Sequence, residues 1–147
     1  MMTEFSLWVA GAVLAQGAIA LVLLLVMGAI RVPMVARGEM KLRDMALSRE
    51  PWPEHEKRVS NAFDNQFQLP VLFYVACGLS LFFGSIWIEA LLAWLFVLSR
   101  IVHAAVFAAR NHVPSRFAAY VVGLGLLSFF WLELIARLFF IWVWNRV

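Results

Sequence analysis

At 147 residues the chain has the length of one domain, but 64% of it is apolar, against roughly 45 to 50% in a soluble domain, and its mean hydropathy is +0.85. A water-soluble fold of this size cannot hide so much apolar surface, so composition excludes one and points to an integral membrane protein. The net charge of +3 comes from no dense basic tract with interleaved aromatics, so no nucleic-acid partner is expected, while the lone cysteine, Cys77, excludes an internal disulfide and no Cys/His group has the spacing of a zinc site.

Residues 5–30 form an apolar run broken only by Gln16 and small residues, long enough to span a bilayer core. Glu4 precedes it and no basic residue does, so it reads as a retained first transmembrane helix rather than a secretory signal. Gln16 is expected to make an interhelical hydrogen bond. Residues 31–58 carry most of the charge and read as a loop at the membrane surface, with Trp52 anchored in the headgroup region between Pro51 and Pro53. Arg31 stands apart, because it closes helix one at the membrane boundary.

The second span, residues 59–83, opens with Asn61, Asn65 and Gln68 at i, i+4 and i+7, a polar stripe on one helical face from which Asp64 is offset. Pro70 removes a backbone hydrogen bond just beyond it. The third span, residues 86–109, has Glu89 near its start and Arg100, His103 and Phe107 on one face of its second half, a face that Arg110 extends. Pro114 initiates the fourth span, residues 115–143, with Arg116 in its first turn. Glu133 and Arg137, one turn apart, are spaced for an intrahelical ion pair facing a neighbouring helix or subunit. The fold class is therefore an all-α integral membrane domain, a bundle of four transmembrane helices.

Loop one carries seven Lys/Arg and the link between spans two and three carries none, which by the positive-inside rule places loop one in the cytoplasm and both termini outside. Arg31, the Asn61/Asn65/Gln68 stripe, Arg100, His103 and Arg116 then gather at one end of the bundle. Guanidinium groups recognise carboxylates by paired hydrogen bonds, and carboxamides both donate to and accept from peptide groups. An anionic, peptide-like ligand fits such a pocket, with a lipophilic second substrate arriving from the bilayer. An arginine beside a bound thiol also favours the nucleophilic thiolate.

Two motifs carry a resemblance. Asn65-Gln-Phe-Gln68-Leu-Pro70, and Arg100-x-x-His103 followed by Pro114-x-Arg116, resemble the helix-two and helix-three-to-four signatures of the MAPEG family (membrane-associated proteins in eicosanoid and glutathione metabolism), here in a bacterial form. The resemblance covers essentially the whole chain. It implies a homotrimer in the bacterial inner membrane, with glutathione held as thiol cosubstrate near the cytoplasmic side. It implies further that Arg31, Asn65, Gln68, Arg100 and His103 bind glutathione and that Arg116, the catalytic residue, stabilises the thiolate. Two departures stand out: Gln68 replaces the family's usual Glu, and Phe107 replaces the tyrosine of several members. A glutathione-dependent transferase or peroxidase acting on lipophilic electrophiles is one expectation. A non-catalytic scaffold or ligand-binding protein with the same fold is the other, and a transporter built on Glu133 and Arg137 is disfavoured because no broken-helix pair or inverted repeat is present.

Overall fold

In the computed structural model, which describes residues 3–40, 51–109 and 112–144, Thr3 starts the first helix by accepting the Ser6 N–H on its side-chain oxygen at 3.1 Å. Helix α1 runs Glu4–Ala36, past the expected end at residue 30 and through Pro33. It stops at a Schellman closure. The Gly38 N–H reaches the Val35 carbonyl and the Glu39 N–H reaches the Met34 carbonyl, both at 3.0 Å, with Gly38 at a φ of 72° that favours glycine. At roughly 50 Å, α1 exceeds a bilayer core of roughly 30 Å, so its end with Arg31 projects to the interface.

The expected loop also gives way at its other end, because α2 begins at Glu54 and runs Glu54–Asp64. Pro53 sits before its first turn, and Glu54 and Glu56 within that turn meet the positive end of the helix dipole. A 3-10 turn, Asn65–Phe67, follows, and then α3, Leu69–Phe83. The second span is thus two helices with a break at Gln68, whose φ of −104° and ψ of −103° lie outside helical values. Pro70 explains the break: it offers no N–H to the Gln66 carbonyl, and its ring would clash there in a continuous helix. Helix α4 is Trp87–Ala109 and α5 is Val113–Trp144. Among the described residues four spans are long and apolar enough to cross a membrane, and the described elements are all helical.

Helix α4 is the most enclosed span and packs chiefly on α5 and α1. Its Phe96 stacks on Phe73 of α3, ring centroids 4.6 Å apart, in a core that includes Ala12, Ala76, Ala93, Phe130 and Leu134. The small side chains let the helices approach closely, which is how spans associate when lipid removes the hydrophobic drive between them. Gly123 of α5 shows the limit, since a Cβ there would stand 2.9 Å from Ser99 Oγ. The outward faces of α1 and α5 are lined by exposed apolar side chains such as Leu14, Leu25, Phe129 and Phe140.

Polar ties among the described residues also join the spans, three of them at positions singled out from the sequence. Gln16 makes the expected interhelical bond, its Nε2 donating to Gln66 Oε1 at 2.9 Å in the buried interior. At the end holding the chain's first residues, Arg137 takes a different partner from the one its spacing suggests. Its Nη1 pairs with Glu89 Oε1 at 2.8 Å, and its Nη2 donates to the carbonyls of Phe83 and Gly84. Those carbonyls lie at the end of α3 and lack helical partners, so Arg137 satisfies them and fixes the turn from α3 to α4. Glu133 lies alongside, against Glu89. The third tie is Arg31, whose Nε donates to Glu56 Oε1 at 2.6 Å and whose Nη2 donates to Ser60 Oγ at 3.3 Å. Trp52 is buried beneath that guanidinium, 4.9 Å from ring centroid to Cζ, rather than anchored among headgroups. Its indole gains a cation–π contact there that an exposed position would not offer.

Candidate functional site

Helical spacing before the break at Gln68 turns neighbouring side chains in different directions. Gln66 points inward, its Nε2 donating to the Ala62 carbonyl at 3.0 Å while its oxygen accepts from Gln16. Asn61, Asp64, Asn65 and Gln68 line a cavity of about 370 Å³ instead. Helix α4 contributes His103 and Phe107 to the same cavity, and the start of α5 contributes Val113, Arg116, Phe117 and Tyr120. The volume lies in the roughly 300 to 1,000 Å³ range of small-molecule sites.

Each wall is set by local structure. Asn65 Nδ2 donates to the Asn61 carbonyl at 2.7 Å, which leaves its side-chain oxygen for the cavity. Helix α5 starts beside the site because His112 Nδ1 and Ser115 Oγ bond at 2.8 Å and Pro114 occupies the first turn, where a missing N–H costs nothing. Arg116 lies one turn into α5 with its Cζ 4.3 Å from the centre of the Phe107 ring. Phe107 in turn meets His103 edge-on, centroids 5.9 Å apart, and Tyr120 tilts against the same imidazole at 6.3 Å. Arginine, two aromatic rings and imidazole form one packed wall.

Of the residues singled out from the sequence, Asn65, Gln68, His103 and Arg116 come together on this cavity. Arg100 does not line it. It stands behind His103, 0% exposed, with Nη2 donating to His103 Nδ1 at 3.1 Å. Arg31 is engaged with Glu56 at the α1–α2 tie and is not on the cavity wall of its own chain. Arg110 lies outside the described residues, as do the loop charges between positions 41 and 50.

Asp64 and Tyr120 are the additions. The sequence puts Asp64 off the stripe, yet among the described residues it is the one carboxylate on the wall. Positions 61, 64, 65 and 68 follow the i, i+3, i+4, i+7 pattern of a single helical face, so the signal was present in the spacing. Tyr120 follows Arg116 by four residues, which places both on one face of α5.

A membrane bundle of four spans with a polar cavity at one end, walled by apolar helices, is the class of protein these features define. The MAPEG family model matches residues 9–136, which is most of the chain, and the chain belongs to that family. A search of curated proteins gave no match, and neither did a search of solved structures.

Proposed function

We propose that the protein is a glutathione-dependent membrane transferase or peroxidase that acts on lipophilic electrophiles, with Arg116 holding the thiolate. The observation that carries this reading is the convergence of Arg116, His103, Asn65 and Gln68 on one cavity in a MAPEG chain. A guanidinium favours the thiolate over the thiol by direct attraction. In conjugation the thiolate sulfur forms a bond to an electrophilic carbon of a substrate entering from the bilayer, and the leaving group departs with the bonding pair. In peroxide reduction the sulfur attacks one peroxide oxygen, the O–O bond breaks and the alcohol leaves with a proton. A second thiol then releases the disulfide and water.

The two departures from the family pattern have counterparts on the same wall. Gln68 lacks a carboxylate, and Asp64 offers one for the ligand's ammonium; Phe107 lacks a hydroxyl, and Tyr120 offers one. Asn65 and Gln68 suit the ligand's peptide groups. The basic first loop supports an inner-membrane orientation with this end in the cytoplasm. The exposed apolar faces of α1 and α5 supply surface for both lipid and neighbouring subunits of a homotrimer.

The test is calorimetry and turnover on detergent-solubilised protein. Glutathione should give saturable heat, and Arg116→Ala should lower turnover with a model electrophile or hydroperoxide by roughly a hundredfold, the scale of losing one preorganised charge-stabilising donor. Unchanged turnover removes Arg116 from the mechanism. The second reading, a ligand-binding scaffold, is favoured by Gln68 and Phe107 themselves. It predicts binding of a small anion with no turnover, or no saturable heat with any low-molecular-weight thiol.

A further inference from the structure

Arg100 is a full guanidinium charge at 0% exposure in the second half of a membrane span, and it is not among the residues lining the site cavity. Burying such a group is costly unless it serves a partner. Among the described residues its one hydrogen bond is to His103 Nδ1, at 3.1 Å, and its Nε and Nη1 have no hydrogen-bond partner. Helix α5 closes over it at Gly123, where a Cβ would come within 3.8 Å of both Cδ and Nη1. A ligand in the cavity therefore meets His103 and not Arg100.

The chemistry of the contact has one solution. A guanidinium nitrogen can only donate, so the imidazole nitrogen facing it must accept and carries no proton. The single N–H of the ring is then on Nε2. We infer that Arg100 is a positioning residue: its hydrogen bond to Nδ1 holds His103 in the Nε2–H form, so that the cavity is presented with a fixed imidazole donor beside Arg116. A donor of this kind suits an anion, either a carboxylate or a thiolate, and would be lost if the proton moved to Nδ1. The edge contact with Phe107 and the tilt of Tyr120 hold the ring plane, while Arg100 sets which edge bears the hydrogen. The arrangement parallels metal-bound histidines, whose tautomer is set by the partner of the remote nitrogen. The link to ligand affinity rests on the glutathione reading, but the tautomer does not.

Solid-state NMR in lipid bilayers decides the matter, using isotope-labelled imidazole and guanidinium nitrogens. Replacing His55 by Gln and His112 by Asn leaves His103 as the single imidazole. The expected spectrum has one bare nitrogen, Nδ1, in through-space contact with the Arg100 guanidinium, and one protonated nitrogen, Nε2. Arg100→Lys keeps a donor and should keep this pattern, whereas Arg100→Met should give two nitrogens averaged by exchange. A proton on Nδ1 in the parent protein, or an unaltered fixed Nε2–H in Arg100→Met, overturns the inference. The parent spectrum suffices if Arg100→Met does not fold. In the binding arm, glutathione affinity should fall about two- to tenfold in Arg100→Met, the worth of one hydrogen bond, and recover in Arg100→Lys. A fixed Nε2–H in protein that binds no glutathione supports the positioning role and counts against the glutathione reading alone.

Discussion

Phe107 changes meaning between sequence and structure. As a substitution for tyrosine it reads as a missing hydroxyl, yet the ring is buried and the Arg116 guanidinium stacks over its face at 4.3 Å. An arginine side chain has many rotamers, and a catalytic charge that wanders loses its preorganisation. The ring face limits that freedom and contributes roughly 1 kcal/mol where water is partly excluded. Phe107→Leu keeps the bulk and removes the π face, so kcat/KM for thiol transfer should fall about fivefold, with Phe107→Tyr retaining at least the parent rate. Equal kcat/KM in the leucine and phenylalanine proteins would show that the stack positions nothing. The same contact explains why His103, Phe107 and Arg116 act as one wall, since each ring or charge is held by the next.

At the scale of elements, the informative pair is Arg31 on α1 and Glu56 on α2. Family resemblance makes Arg31 a ligand residue, whereas the geometry makes it the tie between two spans, with Glu56 at 0% side-chain exposure and 2.6 Å away. The two roles separate experimentally. Arg31→Ala leaves a buried carboxylate without its cation, which should cost roughly 3 kcal/mol and lower the thermal midpoint in detergent. Adding Glu56→Gln removes the stranded charge and should restore most of the loss. A ligand residue would instead lower glutathione affinity with the midpoint unmoved. The extent of this tie was hidden in the sequence because α1 continues beyond Arg31. The first charge suggests the end of the helix, but the stop is chemical and local, at the positive φ of Gly38. Arg137 is a similar case. Spacing identifies Glu133 as a neighbour along the helix, but the unsatisfied carbonyls of Phe83 and Gly84 are visible only once α3 and α5 are packed together. What was legible is what periodicity reports: four apolar spans, the Gln16 bond, and a helical face bearing Asn65 and Gln68. The inward direction of Gln66 follows from the same spacing, since one residue after Asn65 lies about 100° around the helix from the stripe.

For the whole molecule, the two ends of the bundle are chemically distinct, and this gives orientation a physical test. One end holds the cavity, the Arg31–Glu56 tie and the basic residues Arg37 and Lys57; the other holds the Glu89–Arg137 tie and the start of α1. Lysine and arginine near the ends of spans stay on the cytoplasmic side because moving them across a membrane is costly. The cavity should therefore open inward, where thiols are kept reduced, with residue 3 outside. The only native thiol, Cys77, is 0% exposed, so a single introduced cysteine can be read against a silent background. Gly38 and Thr3 are both exposed and mark opposite ends of α1. In intact cells a membrane-impermeant maleimide should label Thr3→Cys and spare Gly38→Cys, and permeabilisation should make Gly38→Cys reactive. Gly38→Cys is strained by its positive φ, so Glu39→Cys, exposed and one residue on, serves as the second reporter. Labelling of Glu39→Cys in intact cells, with Thr3→Cys spared, would reverse the topology. It would also put the Arg116 wall on the side where a thiol cosubstrate is scarce, which would count against thiol chemistry at this site.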